Sequence, residues 1–392
     1  MHAKEFLGTK KTRISAMRVL YIGNYRDGTG WAQAAMDNIL SMDSVGIDVV
    51  PRPIKLNSNQ VALPERLLAL EEKDSSNCDI CIQHVLPHML DYNGRFKKNI
   101  ALYDTETDNF KWSIWPERIN GMDEAWVINN QMAQSSKDSG VTIPIKVMPH
   151  ASNVAKFKQR YEPLQLPNAD SNFIFYFVGE FIRRKNLAAF IKAFHSEFET
   201  NEPVSIVIKT NKYGLSPNDC AKEVQNMSDN IKKGMKLYPE LEDYKEDLII
   251  TDRLSDENLL RLHAACDCFV MPSYGEAWCI PAFDAMGFGN TPICTDVGGM
   301  ADYLNDGEGV LVTSRKEPVF GMIETFNDLF TARENWNSID LLELRKSMRN
   351  IYQLHSSDPK GVYKTMQDKG KKRVEEYSYK AIGNLIKTEL EK

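Results

Sequence analysis

Short apolar runs alternate along this chain with longer stretches of helical periodicity, the pattern of a parallel sheet whose crossovers are helices. In the first half, runs at 18–23, 48–51, 79–83, 100–103, 124–128 and 145–148 predict strands. Residues 30–40 predict the first helix, and 131–140 a later one that Gly140 ends. A polar, proline-containing stretch at 162–172 has the composition of a linker. Beyond it the pattern restarts, with strands predicted at 173–178, 204–209, 248–251, 268–271 and 291–295, and helices at 187–199, 255–265, 281–288 and 341–354. The run Phe173-Ile-Phe-Tyr-Phe-Val178 is apolar at every position, as a strand covered on both faces must be. The charged stretch 211–246 predicts one or two added surface helices. The expectation is an α/β chain of two Rossmann-like domains facing across a cleft, at 17–160 and 161–374.

Composition agrees with that division. A chain of 392 residues exceeds what one ordinary core organises. No apolar run approaches the ~18–20 residues of a membrane span. Residues 1–16 carry Lys4, Lys10, Lys11 and Arg13 without an apolar block, so they read as a flexible lead ahead of Met17 rather than a signal peptide. The formal charge of −6 offers no global attraction for nucleic acid or anionic lipid. Cys78, Cys81, Cys220, Cys266, Cys268, Cys279 and Cys294 are odd in number and mostly sit beside apolar residues. That predicts buried free thiols in a reducing cytosol, hence a cytoplasmic protein, soluble or peripherally membrane-associated. Cys78 and Cys81 have metal-like spacing, but no second pair follows, and no metal site is expected.

The segment richest in chemistry is Met271-Pro-Ser-Tyr-Gly-Glu-Ala-Trp-Cys-Ile-Pro-Ala-Phe-Asp-Ala-Met-Gly-Phe-Gly289. It leaves a strand, crosses a loop and enters a helix with Pro281 at a first-turn position. Glu276 then lies beyond a strand's carboxyl end, where open α/β sheets bind ligands, with Asp284 near the helix start. Two carboxylates there can accept hydroxyl hydrogen bonds from a sugar or ribose, or can simply charge the helix start. The N–H groups of Ala277, Trp278, Cys279 and Ile280 are donors beside a helix terminus that favours anions.

This segment resembles the Glu-x7-Glu motif of retaining GT-B glycosyltransferases of the family-four type, in the variant Glu276-x7-Asp284. Phe177-Val-Gly-Glu-Phe-Ile-Arg-Arg-Lys-Asn186 resembles that family's Gly-Arg-Leu-x3-Lys segment, and Thr295-Asp-Val-Gly-Gly299 its Gly-Gly turn. Asp123-Glu-Ala-Trp-Val127 and Val147-Met-Pro-His150 resemble the last strands before its linker. Tyr377-Ser-Tyr-Lys380 resembles its final helix, so residues from about 375 to 392 are expected to cross back onto the N-terminal domain.

The resemblance implies transfer of a sugar, hexosyl or pentosyl, from a nucleoside diphosphate to a hydroxyl with retention, without metal or other cofactor. Glu276 would contact the donor sugar, Asp284 the ribose, Lys185 the diphosphate, and Arg253 and Leu254 would border the base. The family's arginine near the diphosphate is Glu180 here, so Arg183 or Arg184 must supply that charge. Its histidine after the fourth strand is absent. Tyr103-Asp-Thr-Glu-Thr-Asp108 stands there instead, and Glu106 or Asp104 would line the reaction centre or simply bond backbone. The acceptor would be a saccharide, lipid-linked or small-molecule hydroxyl in preference to DNA. The basic cluster nearest the acceptor segments is Arg95, Lys97 and Lys98.

Gly28 and Gly30 follow the first strand, where glycine lets a phosphate or sugar approach the backbone. The third glycine of a dinucleotide fingerprint is missing. Pro87 between His84 and His88 argues against a helical metal pair and leaves them as loop or acceptor-cleft residues. His150 falls at a family position lining the cleft or is a satisfied core histidine, and Trp112 and Trp115 are core anchors or acceptor platforms. The alternatives are a nucleic-acid base-modifying transferase, a GT-B sugar-nucleotide epimerase or phosphorylase, and a non-catalytic GT-B binding module.

Overall fold

The computed structural model describes residues 17–169, 171–304, 306–323 and 325–392. The lead expected at 1–16 lies outside these.

The first half builds one parallel sheet from β1 (Arg18–Gly23), β2 (Asp48–Pro53), β3 (Ile80–His84), β4 (Lys98–Leu102), β5 (Glu124–Val127) and β6 (Ile145–Val147), in the order β2-β1-β3-β4-β5-β6. Pro51 and Pro53 lack N–H donors, and β2 carries them at the sheet edge, where no ladder bond is forfeited. The helices are α1 (Gly30–Ser44), α2 (Glu65–Glu71), α3 (Trp115–Asn120) and α4 (Asn130–Asp138). Thr29 caps α1 by accepting from the Ala32 N–H at 3.1 Å, and Asn129 caps α4 from Met132 at 2.8 Å. The register sets His84 between Gly23 and Leu102, which brings the loops after β1, β3 and β4 to one edge.

The second sheet repeats the plan with β7 (Phe173–Glu180), β8 (Val204–Asn211), β9 (Asp247–Ile250), β10 (Cys268–Met271), β11 (Ile293–Thr295) and β12 (Val310–Val312), ordered β12-β11-β10-β7-β8-β9. Around it lie α5 (Leu187–Glu197), α6 (Pro217–Met235), α7 (Asp256–Ala265), α8 (Ile280–Phe288) and α9 (Gly298–Tyr303). Phe173, Phe175, Tyr176 and Phe177 are all buried, as the doubly covered reading of β7 requires. The long charged stretch is α6 followed by a short 3₁₀ turn.

An antiparallel hairpin of β13 (Ser314–Pro318) and β14 (Asn335–Ile339), which the apolar pattern did not predict, precedes α10 (Leu341–Ser357), α11 (Val362–Arg373) and α12 (Tyr379–Leu390). The chain passes between the sheets twice. The outgoing pass at Ser152 and the returning one at Ser378 lie side by side as a parallel bridge, with the Ser152 N–H on the Tyr377 carbonyl at 2.8 Å. α12 then packs on α1 so closely that a side-chain carbon at Gly383 would meet the Ser41 carbonyl oxygen at 2.3 Å. All the cysteines are buried free thiols. Among the described residues no helix is long and apolar enough to cross a membrane.

Candidate functional site

The carboxyl edges of the two sheets face each other, and the loops meeting there carry most of the residues singled out from sequence. β10 leads into the loop that starts α8. Cys279, at the mouth of that helix, takes a left-handed conformation (φ 65°, ψ 70°) that costs a non-glycine residue about 1–2 kcal/mol. Neighbours hold it there. The Ala277 carbonyl accepts from Asn129 Nδ2 at 2.6 Å and from the Gly299 N–H at 3.0 Å, and the Tyr303 hydroxyl donates to the carbonyls of Trp278 and Cys279. Gly298 (φ +56°) admits no side chain, because a Cβ would lie 1.6 Å from the Glu276 carbonyl oxygen. The Trp278 ring is buried, stacked 5.5 Å from His150 and packed on Phe283, Tyr303 and Tyr377; it anchors the loop rather than lining open space.

Four charged side chains converge beneath this loop. Lys185 Nζ lies 2.6 Å from Glu276 Oε1. Arg184 donates to the Gly275 carbonyl at 2.6 Å and lies 3.3 Å from both Glu276 and Glu106. The Glu276 side chain is only 5% exposed. Burial alone would lower the Arg184 pKa, but Glu106 and Glu276, with Glu180 nearby, carry it above its ordinary value. The cluster is self-neutralised: two cations face two close carboxylates.

Arg184, not Arg183, therefore turns into the cleft. Arg183 lies over the Tyr274 ring, 5.3 Å from its centroid, and lines a groove of about 990 Å³ between α5, α6 and the start of α10. Glu276, Lys185 and Arg184 do not line that groove.

On the facing edge, Tyr21 and His84 Nδ1 share a hydrogen bond at 2.7 Å, leaving His84 Nε2 buried without a partner among the described residues. His84 thus ends β3 rather than lying in a loop. Asp104 Oδ1, both ring nitrogens of His150 and Trp31 Nε1 are likewise buried and unpartnered among the described residues. Burial holds His84 and His150 down at about 3, so both are neutral. Asp104 is raised to about 7 by burial and then by Glu106, against Arg184. A centre with several unused donors and acceptors is chemically disposed toward a polar, uncharged group such as a hydroxyl-bearing molecule.

Other expected residues fall at different distances from this centre. A carbon at Gly28 (φ +73°) would meet Arg253 Nη2 at 2.5 Å, so the glycine loop of the first domain and the arginine after β9 touch across the cleft. Gly30 faces open space. Leu254 and Ile280 are half-buried beside the core. Asp284 is buried one turn into α8, and its carboxylate meets Lys156 Nζ at 2.7 Å. α8 packs against the 3₁₀ turn at Val154–Lys158, so that side chain faces the crossover rather than Glu276. Trp115 is core, whereas Trp112 is 56% exposed. Lys97 pairs with Asp79 at 2.7 Å and Lys98 with Glu124 at 3.0 Å.

Sequence reasoning missed Asn129, Lys156, Trp31 and the β13–β14 hairpin. Asn129 was visible as a capping residue before α4, but its bond to Ala277 spans 148 positions. Asn335-Trp-Asn-Ser-Ile339 has a strand's alternation, diluted by the charges of its partner Ser314-Arg-Lys-Glu-Pro318.

Two facing α/β units with a returning C-terminal helix define a GT-B protein. The comparisons agree. Residues 162–320 match the family of glycosyl transferases group 1. Sucrose-phosphate synthase from Thermosynechococcus elongatus is similar over 96% of this chain and 98% of its own, at 15% identity and a TM-score of 0.64. Anabaena HepE in complex with UDP and glucose is similar over 96% and 99%, at 12% identity and 0.62. A trehalose-6-phosphate structure from E. coli bound with UDP-2-fluoro glucose is similar over 95% and 98%, at 10% identity and 0.66. No curated protein matches the chain.

Proposed function

We propose that this protein transfers a sugar from a nucleoside diphosphate to a hydroxyl acceptor, with retention at the anomeric carbon. The observation that carries the reading is the buried meeting of Lys185, Arg184 and Glu276 at the cleft, within the segment that matches group 1 glycosyl transferases. A diphosphate arriving there exchanges for Glu276 on Lys185. The two cations then neutralise the charge that grows on the leaving diphosphate as the glycosidic bond breaks. Glu276, released from Lys185, accepts hydroxyl hydrogen bonds from the donor sugar and orients it. The N–H groups of Ala277, Trp278 and Cys279, just ahead of α8, donate no bond among the described residues and would be available to an anion there. Ribose would claim Asp284 from Lys156, and Arg253 would border the base. His84, Asp104 and His150 line the acceptor side, with Glu106 between the two.

Retention rests on the family resemblance. Lys97 and Lys98 pair with carboxylates and, of the three cations in that cluster, Arg95 alone has no carboxylate partner among the described residues, which supports a saccharide, lipid-linked or small-molecule hydroxyl over DNA. The reading assigns chemistry to side chains and to the donor substrate, and asks for no cofactor.

The test is thermal stabilisation by UDP, GDP, ADP and CDP, followed by their sugar conjugates. A ligand at ~100 times its Kd adds ~2.7 kcal/mol, so at least one should raise the transition clearly. Transfer to a panel of small hydroxyl acceptors follows, with the product's anomeric proton coupling compared with the donor's. Stabilisation by none of the diphosphates refutes the reading, and an inverted product refutes retention alone.

A further inference from the structure

The loops at the charge cluster are in contact. A side-chain carbon at Gly275 would lie 2.1 Å from the Glu106 carbonyl oxygen, so the two domains touch backbone to backbone there. With Glu276 5% and Lys185 15% exposed, a nucleoside-diphosphate sugar reaches Lys185 only if these loops part.

The hairpin holds them together. Two residues beyond Glu106, Asp108 accepts the Asn335 N–H on Oδ1 at 2.8 Å and the Asn335 side-chain amide on Oδ2 at 3.0 Å. Lys316 Nζ lies 3.2 Å from the same carboxylate, and the Asp108 N–H donates to the Asn335 carbonyl at 2.9 Å. On its other side the hairpin grips the donor half. Trp336 stacks on Tyr274 with centroids 4.4 Å apart and planes 15° apart, and the Asn337 N–H bonds the Tyr274 carbonyl at 2.8 Å. The Tyr274 N–H in turn bonds the Arg184 carbonyl at 2.8 Å. One short hairpin thus ties the loop bearing Arg184 to the loop bearing Glu106.

We propose that β13–β14 is an interdomain clasp and Asp108 its latch, a positioning residue that seats Glu106 on Arg184 and releases to admit a nucleoside-diphosphate sugar. The proposal rests on reading the cleft as a sugar-transfer site and names the contact that gates it. Asp108 acts through Glu106 and the loop they share. The hairpin is the lever because the same strand, β14, makes both the Asp108 and the Tyr274 contacts.

Two variants test this. Asp108→Ala removes the three side-chain contacts to the hairpin, together with the local bond from the Asn109 side-chain amide, and leaves one backbone bond to Asn335. Amide hydrogen exchange at 103–108 and 335–337 should rise about tenfold, the factor set by roughly 1.4 kcal/mol, while β7 and β10 exchange as in the parent. That readout needs no ligand. The variant should also take up nucleoside diphosphate faster, with kcat lowered and donor KM not raised, and Asp108→Asn should recover part of kcat. In the second variant, Asp108→Cys with Asn335→Cys, the residues are already joined backbone to backbone and every native cysteine is buried, so mild oxidation should link the new pair. The linked form should lose nucleoside-diphosphate binding and regain it on reduction. Unchanged exchange in Asp108→Ala, or a linked protein that binds diphosphate as the reduced one does, overturns the clasp. A parent that binds no nucleoside diphosphate overturns the functional reading instead, and exchange still decides whether the hairpin holds the loops.

Discussion

Lys185→Ala separates two roles that one ion pair combines. In the structure Lys185 and Glu276 meet at 2.6 Å with side chains 15% and 5% exposed, and Arg184 stands 3.3 Å from the same carboxylate. Orphaning a buried charge costs about 3–5 kcal/mol when nothing else compensates it. Here Arg184 remains, so the stability loss should be smaller, on the order of 1–3 kcal/mol. The catalytic loss has a different origin. A cation that meets charge developing on the leaving diphosphate is commonly worth about 2.7–4 kcal/mol, or about 10²–10³ in kcat. Adding Glu276→Gln to Lys185→Ala removes the orphaned charge, so the double variant should regain much of the lost stability and none of the lost turnover. Chemical denaturation and single-turnover transfer, run on parent, single and double variants, measure the two effects independently. A Lys185→Ala protein that turns over within a few-fold of the parent, or a double variant whose activity recovers along with its stability, would refute the placement of the diphosphate at Lys185.

Three further outcomes follow from the same geometry. Glu276→Gln alone should fold and lose most transfer, because it keeps shape but loses charge and acceptor capacity; normal turnover in a folded variant removes Glu276 from the donor site. Arg184→Ala should weaken diphosphate binding much more than Arg183→Ala, since only Arg184 faces Glu276 and Glu106; equal effects in an equilibrium titration would contradict this. Asp104, raised from 3.8 to about 7 by burial and Glu106, binds its proton more tightly folded than unfolded. Its contribution to stability is therefore full below about 3.8 and falls as pH rises through about 7, by ~4 kcal/mol if the whole difference is expressed, at 1.36 per unit. Water that reaches the other carboxylate oxygen reduces this. Asp104→Asn should accordingly be more stable than the parent at pH 8 and little different at pH 4, and identical pH profiles from denaturant titrations would show that Asp104 is not held protonated.

How far the sequence discloses this molecule depends on how local each signal is. β7 was legible because burial on both faces leaves an unbroken apolar run, and α4 because Gly140 marks its end. β12 and α9 are short, and α11 buries little beyond Tyr363 and Gly370, so they lack the stripe that announces a helix or strand. Glu276 and Lys185 are 91 residues apart, yet each follows a strand of the same sheet, and strand ends were readable. Arg183 and Arg184 could not be told apart, because neighbours in a 3₁₀ turn point in different directions and only the packed loop selects one. Asp284 is the instructive case. Its distance from Glu276 along the chain was visible, but Lys156 belongs to the interdomain crossover, whose path no local pattern specifies.

That pairing bears on how the site would work. Lys156, its side chain 19% exposed, lies between Asp284, on the donor-side helix, and Asp37, on α1 of the first domain, and the hydroxyl of Tyr379 on the returning helix bonds Asp37. Burial alone would lower the Lys156 pKa, but Asp284 and Asp37 together raise it, so the cation is fixed in place. The crossover is therefore held by charge to both domains at once. The cleft is held in the same manner, with Arg184 between Glu106 of one domain and Glu276 of the other. In both places a carboxylate expected to meet the donor is already engaged by a cation of this chain. On the proposed reading, an incoming nucleoside diphosphate sugar would exchange partners rather than fill bare charges: diphosphate for Glu276 at Lys185, and ribose hydroxyls for Lys156 at Asp284. The Lys185–Glu276 pair lies within the donor half, whereas Lys156–Asp284 and Arg184–Glu106 join the halves, so on that reading donor binding and the relative placement of the two domains would be coupled through Lys156 and Arg184. Neutralising Glu106 or Asp284, rather than Glu276, should for that reason change how the domains sit.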